Sequence, residues 1–262
     1  MNLVKAELRK LFYQRSTYGL ILGTVALAIL GTAFSPYAMT RIGNGVTMPL
    51  TNSDVVDGVY SKSLGGYIFV LIIGVLMMAG EFHHHTAVAT FLAVPKRSRV
   101  LITKLGVAAV IGALINVFAT WVAIGSGAYA LSLFKHVAAP HDYIWGNYTA
   151  AAAVTGAVLA VVGVAIGTLV RNQNAAVTGS LIWLMVVDRI LAVIWTEIGK
   201  YLPTGLITAM MNIHLNVKDK GSGFGLNTAD YLDPVPAALL LLAYGIGFAL
   251  LAMVSTLRRD ID

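Results

Sequence analysis

Six stretches of mostly apolar residues recur along the chain, each close to the length of about 20 residues that carries a helix across a hydrocarbon core. They run from Tyr18 to Tyr37, Leu64 to Gly80, Leu105 to Phe134, Tyr148 to Val170, Ala175 to Ile198 and Pro234 to Leu257. Within lipid every backbone amide must be satisfied inside the structure, so alternating runs of this length specify an all-α bundle. The sequence therefore predicts one transmembrane domain over 1–262, with six spanning helices.

Composition supports the same class. Hydrophobic residues make up 58 %, charged residues only 11 %, and the mean hydropathy is +0.79, values outside globular usage. With no cysteine, disulfides, thiol catalysis and cysteine zinc sites are excluded. The formal charge of +6 sits in short groups between apolar runs, the pattern of loops that face anionic lipid headgroups rather than of a nucleic-acid surface.

The opening segment 1–17, MNLVKAELRKLFYQRST, places Leu3, Val4, Leu8, Leu11 and Phe12 near one helical face and Lys5, Arg9 and Lys10 away from it, as an interfacial helix does. No A-x-A type site follows before Pro36, so the first apolar run reads as an uncleaved helix. If this end is cytoplasmic, Lys5, Arg9, Lys10, Arg15, Lys96, Arg97, Arg99, Lys104, Arg171, Arg258 and Arg259 share its side. Fewer basic residues, Arg41, Lys62, Lys135, Lys200, Lys218 and Lys220, lie opposite. That bias predicts both termini inside. Tyr143, Trp145 and Tyr148, with Trp195 and Tyr201, form an aromatic belt at the outer face in this reading.

Small residues at Gly163 and Gly167, and at Gly106 and Gly112, predict close helix packing within the bundle. The segment 199–233 is the longest outside connection. Its first half, YLPTGLITAMMNIH, is too short to span and reads as a re-entrant or interfacial helix, and its second half is a glycine-rich polar loop.

Chemistry-bearing residues are few. No G-x-x-x-x-G-K-[ST] loop occurs, so the chain is not expected to hydrolyse ATP itself, and nucleotide energy would come from a partner. His83, His84 and His85 stand beside Glu81, but three adjacent residues on a helix point in three directions, unlike the one-turn spacing of H-E-x-x-H; a solvated or partner-facing surface fits them better than a metal site. Asp188 and Arg189 lie within the fifth apolar run, where ionisable groups are functional hypotheses by default. Neighbouring positions do not face each other, so they are not a mutual pair. Asp188 reads equally as an interhelical hydrogen-bond partner near the outer rim and as part of a substrate path, while Asn116 reads as a packing hydrogen bond.

Between the second and third runs lies GEFHHHTAVATFLAVPKRSRVLITK, from Gly80 to Lys104. Gly80, Glu81, Phe82, Thr86, Thr90, Phe91, Leu92, Pro95 and Lys104 resemble the signature of type-2 ATP-binding-cassette transporter permeases, in the bacterial drug, bacteriocin and antibiotic-resistance branch. His83 stands where that family usually has Arg, and His85 where it has Gly. AELRKLFYQR is similar to its elbow helix, GTLVRNQNAA to its turn between the fourth and fifth spans, Tyr201-Leu202-Pro203 to the motif after the fifth, and RRDI at 258–261 to its C-terminal end.

The resemblance implies six spans with both termini cytoplasmic in a bacterial cell membrane. It also implies a homodimer of this chain with two copies of a separate ATPase, which binds ATP and Mg while this chain binds no cofactor. The cargo would be a hydrophobic or amphipathic compound. A coupling helix within Glu81 to Ala93 would meet the ATPase through Glu81, Phe82, His83, His84, His85, Thr86, Thr90, Phe91 and Leu92, flanked by the basic residues Lys96, Arg97, Arg99 and Lys104. Two other classes stand beside this one: an ion- or proton-coupled secondary transporter or channel using Asp188 and Arg189, and an intramembrane enzyme using the histidines.

Overall fold

Runs rich in Leu, Ala, Val and Ile bury their own backbone polarity only as helices, and the computed structural model consists of helices and their connections, with no strand, over its described residues, 3–41, 49–84, 86, 97–210 and 232–258. A short helix α1 (Leu3–Tyr13) precedes α2 (Arg15–Arg41). Next come α3 (Ser53–Tyr60), a 3-10 turn (Ser61–Gly66) and α4 (Tyr67–His83). The long α5 (Arg97–Ser132) and α6 (Tyr143–Val170) follow. The fifth apolar run forms α7 (Gln173–Ile182), a π turn (Trp183–Val187) and α8 (Asp188–Ile194). Two short helices, α9 (Thr196–Gly199) and α10 (Pro203–Met210), lead to α11 (Pro234–Arg258).

Six of these helical stretches are long and apolar enough to cross a membrane. The chain is an all-α, multi-pass membrane protein. The apolar window of Ser53–His83 is 78 % buried, whereas those of α2, α7–α8 and α11 are each 22 % buried; the α3–α4 unit is thus the centre and the other three the rim. We call the end carrying α1 basal and the opposite end distal.

Close approach of backbones builds the centre. A side chain at Gly163 of α6 would collide with the Leu71 carbonyl of α4, and one at Gly112 of α5 with the Gly156 carbonyl of α6. Glycine is the residue that allows such crossings. One turn beyond the second crossing, Asn116 Nδ2 donates to the Ala152 carbonyl at 2.9 Å, the packing bond its sequence context predicts. Gly106, in contrast, faces open space.

Several boundaries differ from those in the sequence. The second span begins at Ser53 rather than Leu64, which places Lys62 inside a helical unit instead of a loop. The third begins at Arg97 rather than Leu105, because RSRVLITK is compatible with a helix and its buried lysine is neutralised by distant partners. The fifth ends at Ile194. YLPTGLITAM yields α10, whose Thr204, Leu206, Ile207 and Met210 are buried, so this segment inserts into the bundle rather than lying on it. Of the expected aromatic belt, Tyr143, Trp195 and Tyr201 are exposed. Tyr148 is not: its hydroxyl donates to the Asp57 carbonyl in the interior at 2.9 Å, and Trp145 stacks edge-on against Tyr60.

Candidate functional site

At the basal end three elements converge on four charges. Glu7 and Leu11 occupy the same face of α1, one turn apart, and both are buried. Docking divides the apolar stripe: Leu11 is buried and Leu8 packs against the core, while Val4 and Phe12 remain about half exposed, and the face that docks also carries Glu7. Glu81 closes the last turn of α4, and Lys104 lies two turns into α5.

Lys104 is 1 % exposed. Its Nζ donates to Glu7 Oε2 at 2.5 Å, to the Met77 carbonyl at 3.0 Å and to Glu81 Oε1 at 3.1 Å, using the three donors an ammonium has. Lys10 Nζ donates to the same Glu81 oxygen at 2.6 Å and lies 3.4 Å from Glu7 Oε1. Two carboxylates and two ammonium groups neutralise one another, as burial of charge requires. Half-burial alone would lower the Lys10 pKa, but the hydrogen bond and charge of Glu81, with the charge of Glu7, outweigh it and raise the group above its ordinary value. Glu81 Oε2 is buried and has no hydrogen-bond partner among the described residues. A cavity of about 300 Å³ opens beside the cluster, lined also by Gln14, His84 and Thr86.

The other basal residues extend this surface. Phe82 lies under the Arg171 guanidinium, 5.6 Å from its ring centroid, a cation–π contact that joins α4 to the α6–α7 turn. That turn has only two residues: Arg171, in the left-handed region with φ 54°, and Asn172, whose Oδ1 accepts from the Ala175 amide at 3.1 Å to cap α7. His83 and His84 are exposed, their rings 5.0 Å apart in a T-shaped arrangement. Thr86 Oγ1 reaches the Glu81 carbonyl at 3.4 Å. Arg99 is exposed.

The structure therefore divides the predicted set. Phe82, His83, His84, Thr86 and Arg99 are at the basal surface. Glu81 and Lys104 are not surface contacts but a buried pair, a correction to their placement as a partner-facing residue and a basic flank; each is drawn inward by the other and by Glu7. His85, Thr90, Phe91, Leu92 and Lys96 lie outside the described residues, and Arg97 opens α5. Glu7 and Lys10 were not predicted as members. Their signal was a carboxylate in an otherwise basic amphipathic helix.

Away from this site, Asp188 is 0 % exposed and accepts a hydrogen bond from Thr204 Oγ1 of α10. Its Oδ1 has no partner among the described residues. Arg189 is exposed and makes no ion pair with Asp188 among the described residues. At the distal end an unpredicted cluster forms: Asp57 Oδ2 lies 2.8 Å from His141 Nδ1, and Asp57 Oδ1 accepts from the His141 amide at 3.2 Å.

The described residues hold no group of three or more metal-ligating side chains. The basal arrangement is suited to mechanical connection. Both ends of the segment between Glu81 and Lys104 are fixed to α1 through one buried charge network, so force on that segment reaches α4 and α5 together. Compared with known proteins, the chain matches no family and no curated relative.

Proposed function

We propose that this chain is the membrane-spanning subunit of an ATP-binding-cassette exporter, driven by a separate ATPase that engages the segment from Glu81 to Ala93. The observation that carries this reading is the buried network joining Glu7, Lys10, Glu81 and Lys104, which makes the two roots of that segment one rigid body. A partner that shifts between nucleotide-bound and nucleotide-free shapes can move such a body as a unit. The motif GEFHHHT, the phosphate-loop deficit and the elbow-like α1 agree with it. In this reading both termini are cytoplasmic, two copies of the chain pair with two ATPase subunits in a bacterial cell membrane, ATP and Mg belong to the ATPase, and the cargo is hydrophobic or amphipathic.

The test is reconstitution with the ATPase encoded nearest to this chain. Vesicle export stimulated by ATP, and lost when Phe82 and His84 are replaced by Ala, is the expected result. Failure of the ATPase to bind or to be stimulated overturns the reading.

A second reading, an ion- or proton-coupled transporter, draws on one observation: the buried Asp188 carboxylate with a free oxygen. Flux that tracks a pH gradient without any ATPase, and vanishes in Asp188→Asn, would select it instead.

A further inference from the structure

We propose that a distal cavity between α2, the 3-10 turn and α8 binds an amphiphile with an oxyanion head, phosphate or carboxylate, clamped by Lys62 and Arg189. The cavity holds about 340 Å³, and both residues line it together with Tyr67, Thr204 and Thr208.

Two departures from regular helix bring the cations together. The 3-10 turn Ser61–Gly66 interrupts the second span and presses its backbone against α2, where a Cβ on Gly31 would stand 3.0 Å from the Lys62 carbonyl. The π turn Trp183–Val187 inserts an extra residue ahead of α8, which rotates α8 by about 100° relative to an unbroken helix. Asp188 is thereby turned inward to Thr204 and Arg189 toward the cavity. Irregular turns of this kind concentrate at functional sites.

The charge balance of the cavity is unmet. Neither Lys62 nor Arg189 forms an ion pair among the described residues. Asp188 is the sole carboxylate on α2, the 3-10 turn, α8 and α10, and one of its oxygens is committed to Thr204. Two cations facing one cavity against a single carboxylate, itself bonded to the cavity-lining Thr204, leave a net positive site at the edge of a low-dielectric medium, where like charges are costly and an anion between them is favoured. A guanidinium presents a fork that fits carboxylate or phosphate, and an ammonium adds a point charge.

Position supplies the rest of the ligand. Along the helical path Lys62 is about 28 Å from Glu81, near the far edge of a hydrocarbon core about 30 Å thick, so the head sits at headgroup depth. Leu27 borders the cavity, and Leu27, Leu30 and Phe34 are exposed along α2, an apolar track on which an acyl or other hydrophobic tail can lie. The site deepens the exporter reading by naming a class of cargo, but its binding is measured on this chain alone.

The test uses the purified chain in a neutral detergent and decyl phosphate as the probe, read as a shift in thermal midpoint. Saturable stabilisation is expected, with binding weakened about tenfold or more in Lys62→Gln and in Arg189→Gln, retained in Lys62→Arg and unchanged in the distal surface control Lys135→Gln. Equal stabilisation by decyltrimethylammonium, or unaltered binding in both glutamine variants, overturns the proposal. Competition by phosphatidylglycerol in phosphatidylcholine nanodiscs identifies the occupant as a membrane lipid. Competition by inorganic phosphate without an effect of phosphatidylglycerol identifies a soluble-headed cargo. Because no ATPase is present, a failure here leaves the coupling proposal standing, and a failure of ATP-driven export leaves this one standing.

Discussion

Lys104 Nζ lies 2.5 Å from Glu7 Oε2, joining residues 97 positions apart in the chain. This contact ties the start of the third span to a helix that precedes the first, and it is buried from solvent on both sides.

Lys104→Met removes the cation between two buried carboxylates. Breaking a buried pair from one side costs about 3–5 kcal/mol, so the thermal midpoint in detergent should fall sharply. Adding Glu7→Gln should recover part of the loss, because the two substitutions act on one network. The chain has no cysteine, so a single Leu11→Cys reports α1 docking: protected from maleimide in the parent, labelled in Lys104→Met.

Lys10 gives the network an alkaline limit. Its pKa is raised above the ordinary 10.5, so its contribution is complete below that value and is lost as pH climbs through the raised one. A spin label at Phe12→Cys should keep its mobility through the neutral and mildly alkaline range and loosen only above the ordinary lysine pKa. In Lys10→Gln that alkaline step should be absent.

Two glycines of similar appearance should behave oppositely. Gly163→Leu would drive a side chain into the Leu71 carbonyl, whereas Gly106 faces open space. Size-exclusion chromatography should show loss of monodisperse protein for Gly163→Leu. Gly106→Leu should stay within about 0.5 kcal/mol of the parent, as surface substitutions do.

The Asp188–Thr204 bond holds α10 against the fifth span. Thr204→Val should lower stability by about 1–3 kcal/mol, since it removes the hydroxyl donor of a buried carboxylate. Thr204→Ser should preserve it. Thermal unfolding of the two variants side by side distinguishes loss of the bond from loss of packing.

The spans were legible because length and hydrophobicity alone decide them, and the packing role of Asn116 because a lone amide in an apolar helix needs a partner. Charged residues were read less well. Lys104 looks like the end of a helix, and only a partner remote in the chain, Glu7, shows why it lies within one; Lys62 also lies within a helical unit, with no ion-pair partner among the described residues. The π turn before Asp188 has no glycine or proline to mark it. α1 was legible in part: of its apolar stripe Leu11 is buried and Leu8 packs against the core, Val4 and Phe12 stay about half exposed, and the docked face also carries the carboxylate Glu7.

The connector of Arg171 and Asn172 leaves the fourth and fifth spans no slack at their shared root. Capped on one side, clasped to Phe82 on the other, it behaves as a welded corner. Any swing of the fifth span relative to the fourth must then be absorbed farther along, where the wide turn ahead of Asp188 departs from α-helical hydrogen bonding. A push delivered beside Phe82 would thus be felt as bending at the level of Asp188 and Arg189, roughly 24 Å away along the helix, rather than as hinge motion at the surface where it was applied.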